Sequence, residues 1–168
     1  MPDAEHRSKQ VDSVPCAVVT VSDTRTEATD ASGAWLRERL AQEGHLLHSY
    51  RILPDEPDQV RNAVRELAGD PDCRAVFLCG GTGLAPRDTT IEAVEPLLDR
   101  RLDGFGELFR MLSFERVGPS AMLSRAMGGL CGTTLVFVMP GSPDAVRLAM
   151  ERLILPTLRH LAAVAERG

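Results

Sequence analysis

Ala75-Val76-Phe77-Leu78-Cys79 runs without a break into Gly80-Gly81-Thr82-Gly83. Five apolar residues with no polar alternation read as a strand covered on both faces, as in a parallel sheet. A glycine turn at its carboxyl end lets backbone amides approach a ligand with no Cβ in the way. Thr89-x-x-Glu92 then has capping-box spacing, which places a helix start near Thr90.

Outward from this unit the same grammar repeats. Cys16–Val21 is a short apolar, β-branched run that ends in Ser22-Asp23-Thr24. Ser32-Gly33 opens an amphipathic helix with Trp35, Leu36 and Leu40 on one face, and Gly44 stands at its C′ position. Leu46–Leu53 is the second strand, stopped by Pro54-Asp55-Glu56-Pro57. Pro57 suits the first turn of a helix whose apolar face is Val60, Ala63, Val64 and Leu67. A further helix covers roughly 105–114, with Phe105, Phe109, Met111 and Leu112 assigned to core or to a subunit interface. Thr134–Met139 is the fourth main strand, with room for a short antiparallel partner before the Cys131-Gly132 turn. Pro140-Gly141 breaks that strand, Ser142 caps a C-terminal helix with Pro143 at its first position, and Pro156 kinks or splits it. The alternation predicts an α/β fold with three α/β/α layers, a mostly parallel sheet and helices on both faces.

The 168 residues fit one domain, expected over 14–168 behind a disordered N-terminal tail, 1–13. The net charge of −5, with basic residues spread along helices, argues against a nucleic-acid partner. Met1–Ser13 has no apolar segment of a signal peptide, and no run nears the roughly 20 apolar residues of a membrane span. Cys16, Cys73, Cys79 and Cys131 form no C-x-x-C pair and read as reduced, mostly buried thiols of a cytoplasmic protein. The four histidines show no zinc spacing.

Ligands of open parallel sheets bind beyond the carboxyl ends of the strands. Four small or polar turns converge there: Ser22-Asp23-Thr24, Pro54-Asp55, Gly80–Gly83 and Pro140-Gly141-Ser142. The glycine loop is neither a Walker A sequence nor a dinucleotide fingerprint, so it reads either as an anion nest or as a tight turn. Asp55 and Asp88 lie beside it. Carboxylates repel phosphates unless a cation intervenes, and Mg²⁺ commonly takes one or two carboxylates plus substrate phosphates. The plainer readings are a cap for Asp88 and a turn for Asp55. Arg87 either meets a phosphate or is solvated, and Ser124-Arg125 could line a pocket for an anion.

The order and spacing of these segments resemble the MogA/MoaB molybdopterin-binding family. The matching residues are Thr20–Asp23, Asp30–Gly33, Pro54–Glu56, Gly80–Gly83, Arg87–Ala93, Gly104–Arg110, Ser124–Ala126 and Pro140–Ser142, within roughly 17–161. Asp30–Gly33 and Phe109–Ser113 look closer to the MoaB branch. The resemblance implies a homotrimer or a pair of trimers, a role in molybdenum cofactor biosynthesis and a molybdate-insertion protein as partner. It also implies Mg²⁺-dependent transfer of AMP from ATP to the terminal phosphate of molybdopterin. By motif match Asp55 and Asp88 are the catalytic and metal positions. Ser22, Asp23, Gly80, Gly81, Thr82, Gly83, Thr89, Ser124, Arg125, Pro140, Gly141 and Ser142 are the substrate and phosphate positions. The alternatives are a protein of the same fold that binds molybdopterin or nucleotide without turnover, and an unrelated nucleotide-binding domain.

Overall fold

The computed structural model describes residues 11–166. Six strands, β1 (Pro15–Val21), β2 (Leu46–Leu53), β3 (Ala75–Cys79), β4 (Arg100–Arg101), β5 (Met127–Cys131) and β6 (Thr134–Met139), form one sheet in the order β2-β1-β3-β6-β5-β4. The pairs β1–β2, β1–β3 and β3–β6 are parallel, while β5 and β4 add antiparallel strands at one edge. The helices are α1 (Ala31–Gln42), α2 (Pro57–Gly69), α3 (Thr90–Val94), α4 (Asp103–Val117), α5 (Pro143–Ala149) and α6 (Leu158–Ala165).

Strand alternation sorts the core into two layers. Cys16, Val18, Phe77, Phe137 and Met139 meet Leu36 and Leu40 of α1, Phe105 and Phe109 of α4, and the C-terminal helices. Ala17, Val19, Val76, Leu78, Val136 and Val138 meet Val60, Val64 and Leu67 of α2, with Ile91 and Val94 of α3. Phe105, Phe77 and Phe137 pack as an aromatic cluster, with Phe105 set edge-on to Phe137 at 5.0 Å between centroids. The three-layer expectation holds.

The details include corrections. Residues 1–10 of the expected tail lie outside the described residues, but 11–13 already touch the domain: Val11 packs on the core and the Asp12 carbonyl accepts from Arg159 at 3.0 Å. Helix α1 opens at Ala31 rather than at Ser32, behind an N-cap at Asp30 whose carboxylate accepts from the Gly33 amide. Thr89 stands at the N-cap of α3, but no capping box forms, because Glu92 pairs with Arg125 instead of reaching back. Strand β4 is a two-residue edge strand of exposed arginines, which carries no apolar signal to read. Met111 is exposed, whereas Phe105, Phe109 and Leu112 are core. Ser142 does cap α5, accepting from Ala145, and the C-terminal helix is split into α5, a π-helical stretch at Met150–Ile154 and α6 around Pro156.

Cys16, Cys73 and Cys79 are buried and free, as expected; burial pushes the Cys79 thiol up to about 12, so it stays protonated and unreactive. Among the described residues no helix is long and apolar enough to cross a membrane.

Asp30 is a buried carboxylate held by three donors: Thr20 Oγ1 and Tyr50 Oη at 2.6 Å each, and the Gly33 amide at 3.0 Å. Burial pushes its pKa up, yet these hydrogen bonds outweigh it, and the group sits below the ordinary carboxylate value. A carboxylate depressed in the folded state contributes stability above its unfolded pKa, and that contribution is lost as pH falls through the folded value. Asp30→Asn is therefore expected to lower unfolding free energy by about 1–3 kcal/mol at pH 7. The gap to the unsubstituted protein should shrink below about pH 4. Urea titrations at pH 7 and pH 3 check this, and an equal gap at both would contradict the assignment.

Candidate active site

The chain steps from β1 outward to β2, then returns across β1 to β3. The sheet order reverses between β1 and β3, and the crevice beyond their carboxyl ends is the usual ligand site in such sheets. The four expected loops do meet there. The Ser22 amide donates to the Leu53 carbonyl at 2.8 Å, joining the β1 and β2 ends. The Gly80 amide donates to the Met139 carbonyl at 2.9 Å, joining β3 to β6. Gly141 lies against Gly80, and the Ser32 hydroxyl of α1 holds the Gly141 carbonyl at 2.7 Å.

The glycine loop is shaped by its carbonyls. Gly80 (φ +111°) and Gly81 (φ +70°) occupy backbone conformations that side chains rarely adopt. The Gly81 carbonyl accepts from the Thr90 amide at 3.1 Å. The Thr82 and Gly83 carbonyls accept from Arg125 at 3.1 and 2.8 Å, and the Asp88 carbonyl accepts from the same guanidinium at 2.9 Å. In a trans peptide C=O and N–H point opposite ways. Anchoring the Gly81 and Thr82 carbonyls therefore turns the Thr82 and Gly83 amides to the other side. Among the described residues no backbone carbonyl accepts from the amides of Gly81, Thr82 or Gly83. Donors left without a backbone acceptor are what an anion at this loop would need.

Acidic groups flank the glycine loop. A Cβ at Gly81 would lie 3.3 Å from Asp55 Oδ1, and one at Gly83 would lie 2.7 Å from Asp88 Oδ2. Both carboxylates thus flank the glycine loop. Burial pushes the Asp55 pKa above its ordinary value, and the charges of Asp23 and Asp88 add to that rise. Asp88 also shapes its own turn, accepting from the Ala85 amide at 3.1 Å. Asp23 is held below its ordinary value, chiefly by hydrogen bonding to Arg87, whose Nε donates to Asp23 at 2.8 Å. The remaining expected residues divide. Gly141 reaches the site against Gly80, whereas Ser142 caps α5 and lines, with Pro140, a separate cavity beside Phe109 and Ser113 of α4. Arg125 reaches it from beneath, with its donors spent on the loop and on Glu92 rather than facing a ligand. Ser22 Oγ accepts from the Thr24 and Arg25 amides and shapes its turn. Ser124 and Arg125 also line a cavity of about 320 Å³ with Arg101, Gly106 and Arg110, within the size range of small-ligand sites.

Sequence reasoning missed Thr90. Its buried hydroxyl, not that of Thr89, lies under the glycine loop, where a Cβ on Gly81 would overlap it. The signal was the two adjacent threonines of the expected cap, which local spacing cannot separate.

Residues 17–160 match the family model described as "Probable molybdopterin binding domain". The chain belongs to this family. The molybdenum cofactor biosynthesis protein B of Bacillus cereus is 52% identical over 158 residues, covering 94% of each chain. A crystal structure of a molybdenum cofactor biosynthesis protein B superposes with a TM-score of 0.91 at 50% identity, covering 95% of this chain and 100% of that one. The tungsten cofactor synthesizing protein MoaB of Pyrococcus furiosus superposes with a TM-score of 0.83 at 34% identity, covering 94% and 99%. All three carry the B designation, in line with the MoaB-like segments Asp30–Gly33 and Phe109–Ser113. The chain is a molybdenum cofactor biosynthesis protein of the MogA/MoaB family.

Proposed function

We propose that the chain adenylylates molybdopterin, transferring AMP from ATP to the terminal phosphate of the pterin and releasing pyrophosphate. The observation that carries this reading is a glycine loop whose Thr82 and Gly83 amides meet no backbone carbonyl and whose flanks are the Asp55 and Asp88 carboxylates. Amides alone would suit any anion. Amides flanked by carboxylates suit phosphates that arrive with a cation.

Asp55 and Asp88 fit Mg²⁺ by their chemistry: hard oxygen donors, with Asp55 raised by burial and by neighbouring negative charge that a cation would relieve. Among the described residues no group of three or more His, Cys, Asp or Glu is placed to hold a metal by itself, so the remaining ligands would be substrate phosphates and water. Bound there, Mg²⁺ would offset charge on the ATP phosphates and so stabilise the transition state. The loop amides hold a phosphate oxygen in place, and the glycines allow the close approach. A phosphate nucleophile is already ionised at pH 7, so the chemistry needs no histidine base. The oxygen of the pterin phosphate forms the new bond to the α-phosphorus of ATP as the bond to pyrophosphate breaks.

The test is pyrophosphate release from ATP and Mg²⁺ with and without molybdopterin. Release that depends on molybdopterin supports the transferase. Bound molybdopterin without release would instead establish the same fold as a binding protein.

The proposed assembly is a homotrimer or a pair of trimers. The support is an apolar surface on α4 and the following 118–123 segment: Leu108, Met111, Phe114, Val117, Met122 and Leu123 are all exposed in the single chain. Sedimentation equilibrium should give three or six times 18.3 kDa, and a monomer at micromolar concentration would refute it. A molybdate-insertion protein would receive the product, and the reaction belongs in the cytoplasm, where ATP and reduced thiols coexist.

A further inference from the structure

We infer that Arg87 is a positioning residue of this site: its guanidinium clasps the three loops that follow β1, β2 and β3 and offsets one of the two negative charges of Asp23 and Glu56. The inference rests on the adenylyltransferase reading for its kinetic arm and on geometry alone for its structural arm.

Arg87 lies in the loop after β3. Its Nε and Nη2 donate to the two oxygens of Asp23, in the loop after β1, both at 2.8 Å. Nη1 and Nη2 also donate to Glu56 Oε1, in the loop after β2, both at 3.2 Å. Asp23 Oδ1 in turn accepts from the Asp55 amide at 3.0 Å. The chain of contacts therefore runs from Arg87 through Asp23 to the backbone of Asp55. A lone surface ion pair is worth little, but this one is bidentate and shared between two carboxylates.

Two consequences separate this role from direct phosphate binding. The planar fork is already filled by carboxylates, so a phosphate would have to displace them. And without Arg87, two carboxylates at the phosphate edge lose their counter-charge, which repels ATP. Lysine cannot replace the arginine fork, because it offers one point of charge and no planar pair of donors.

The test uses the full chain with Arg87→Gln, Arg87→Lys and the double variant Asp23→Asn/Arg87→Gln. The first readout needs no ligand: hydrogen exchange of segments 22–26 and 54–56 should quicken in Arg87→Gln, with α2 and β3 unchanged. The second is equilibrium binding of ATP with Mg²⁺, which should weaken about tenfold in Arg87→Gln. The Lys variant, which keeps the charge, and the double variant, with the local charge restored, should each recover most of it, while exchange stays fast in both because neither has the planar fork. In turnover the loss should fall on KM for ATP more than on kcat. Unchanged exchange in both loops would overturn the clasp. A double variant no better than Arg87→Gln would overturn the charge role and make Arg87 a phosphate ligand. If the unsubstituted chain releases no pyrophosphate, the transferase reading fails, while the exchange arm still decides the clasp.

Discussion

Gly80→Ala is expected to lower the unfolding free energy by about 3 kcal/mol or more, and to abolish ligand binding at the glycine loop. Two terms add. The φ of +111° lies where an L side chain is strained, and a Cβ there would overlap the carbonyl oxygen of Val21. That oxygen belongs to the last residue of β1, a central strand paired on both sides, so it cannot swing away as a flexible side chain could. The loop must move instead, and it carries the Gly80–Met139 hydrogen bond and the Gly141 contact with it. Gly104→Ala is the control. It lies in the first turn of α4 with nothing within 4 Å of its Cβ, so alanine there should stabilise by about 0.5–1 kcal/mol. Urea unfolding of both variants reads the difference. A Gly80→Ala protein as stable as the parent would mean that the loop relaxes freely and is not held in place by its anchored carbonyls.

That rigidity was only partly visible in the sequence. Strands β1, β3 and β6 were legible because each is an apolar run buried on both faces, and such runs have few other fates. The convergence of loops followed from parallel pairing alone. What stayed hidden depends on contacts between residues far apart in the chain. The capping box at Thr89 fails because Glu92 is claimed by Arg125, 33 positions away. Arg125 itself was expected to face a ligand. It serves as the prop that turns the loop carbonyls one way and the amides the other. Arg87 read as solvated or phosphate-facing, since nothing local marks partners 64 and 31 residues distant. Strand β4 was missed for the opposite reason: its two arginines pair by backbone alone, and backbone pairing leaves no trace in side-chain pattern. Composition and order thus placed the four loops at one edge of the sheet. The electrostatic wiring of that edge leaves no local pattern, because charged side chains choose partners by reach in space.

Asp55→Asn and Asp88→Asn are each expected to reduce molybdopterin-dependent pyrophosphate release by about 100- to 1,000-fold, the scale of losing one group that stabilises transition-state charge. The asparagine variants are more telling than alanine. Asp88 accepts from the Ala85 amide, and an asparagine oxygen can keep that turn, so the only loss is charge. If the cap were its whole purpose, Asp88→Asn would retain full activity with an unchanged Mg²⁺ requirement, whereas Asp88→Ala would lose stability. Asp55 presents the mirror case. Its carboxylate sits beside Gly81, raised by burial and by the neighbouring charges of Asp23 and Asp88, while its own backbone amide donates to Asp23 at 3.0 Å. Asparagine there should relieve repulsion and raise stability slightly, while removing the oxygen anion that a cation needs. Stability and activity should therefore move in opposite directions at Asp55. That divergence separates a functional carboxylate from a structural one, because a turn-shaping aspartate would lose both together.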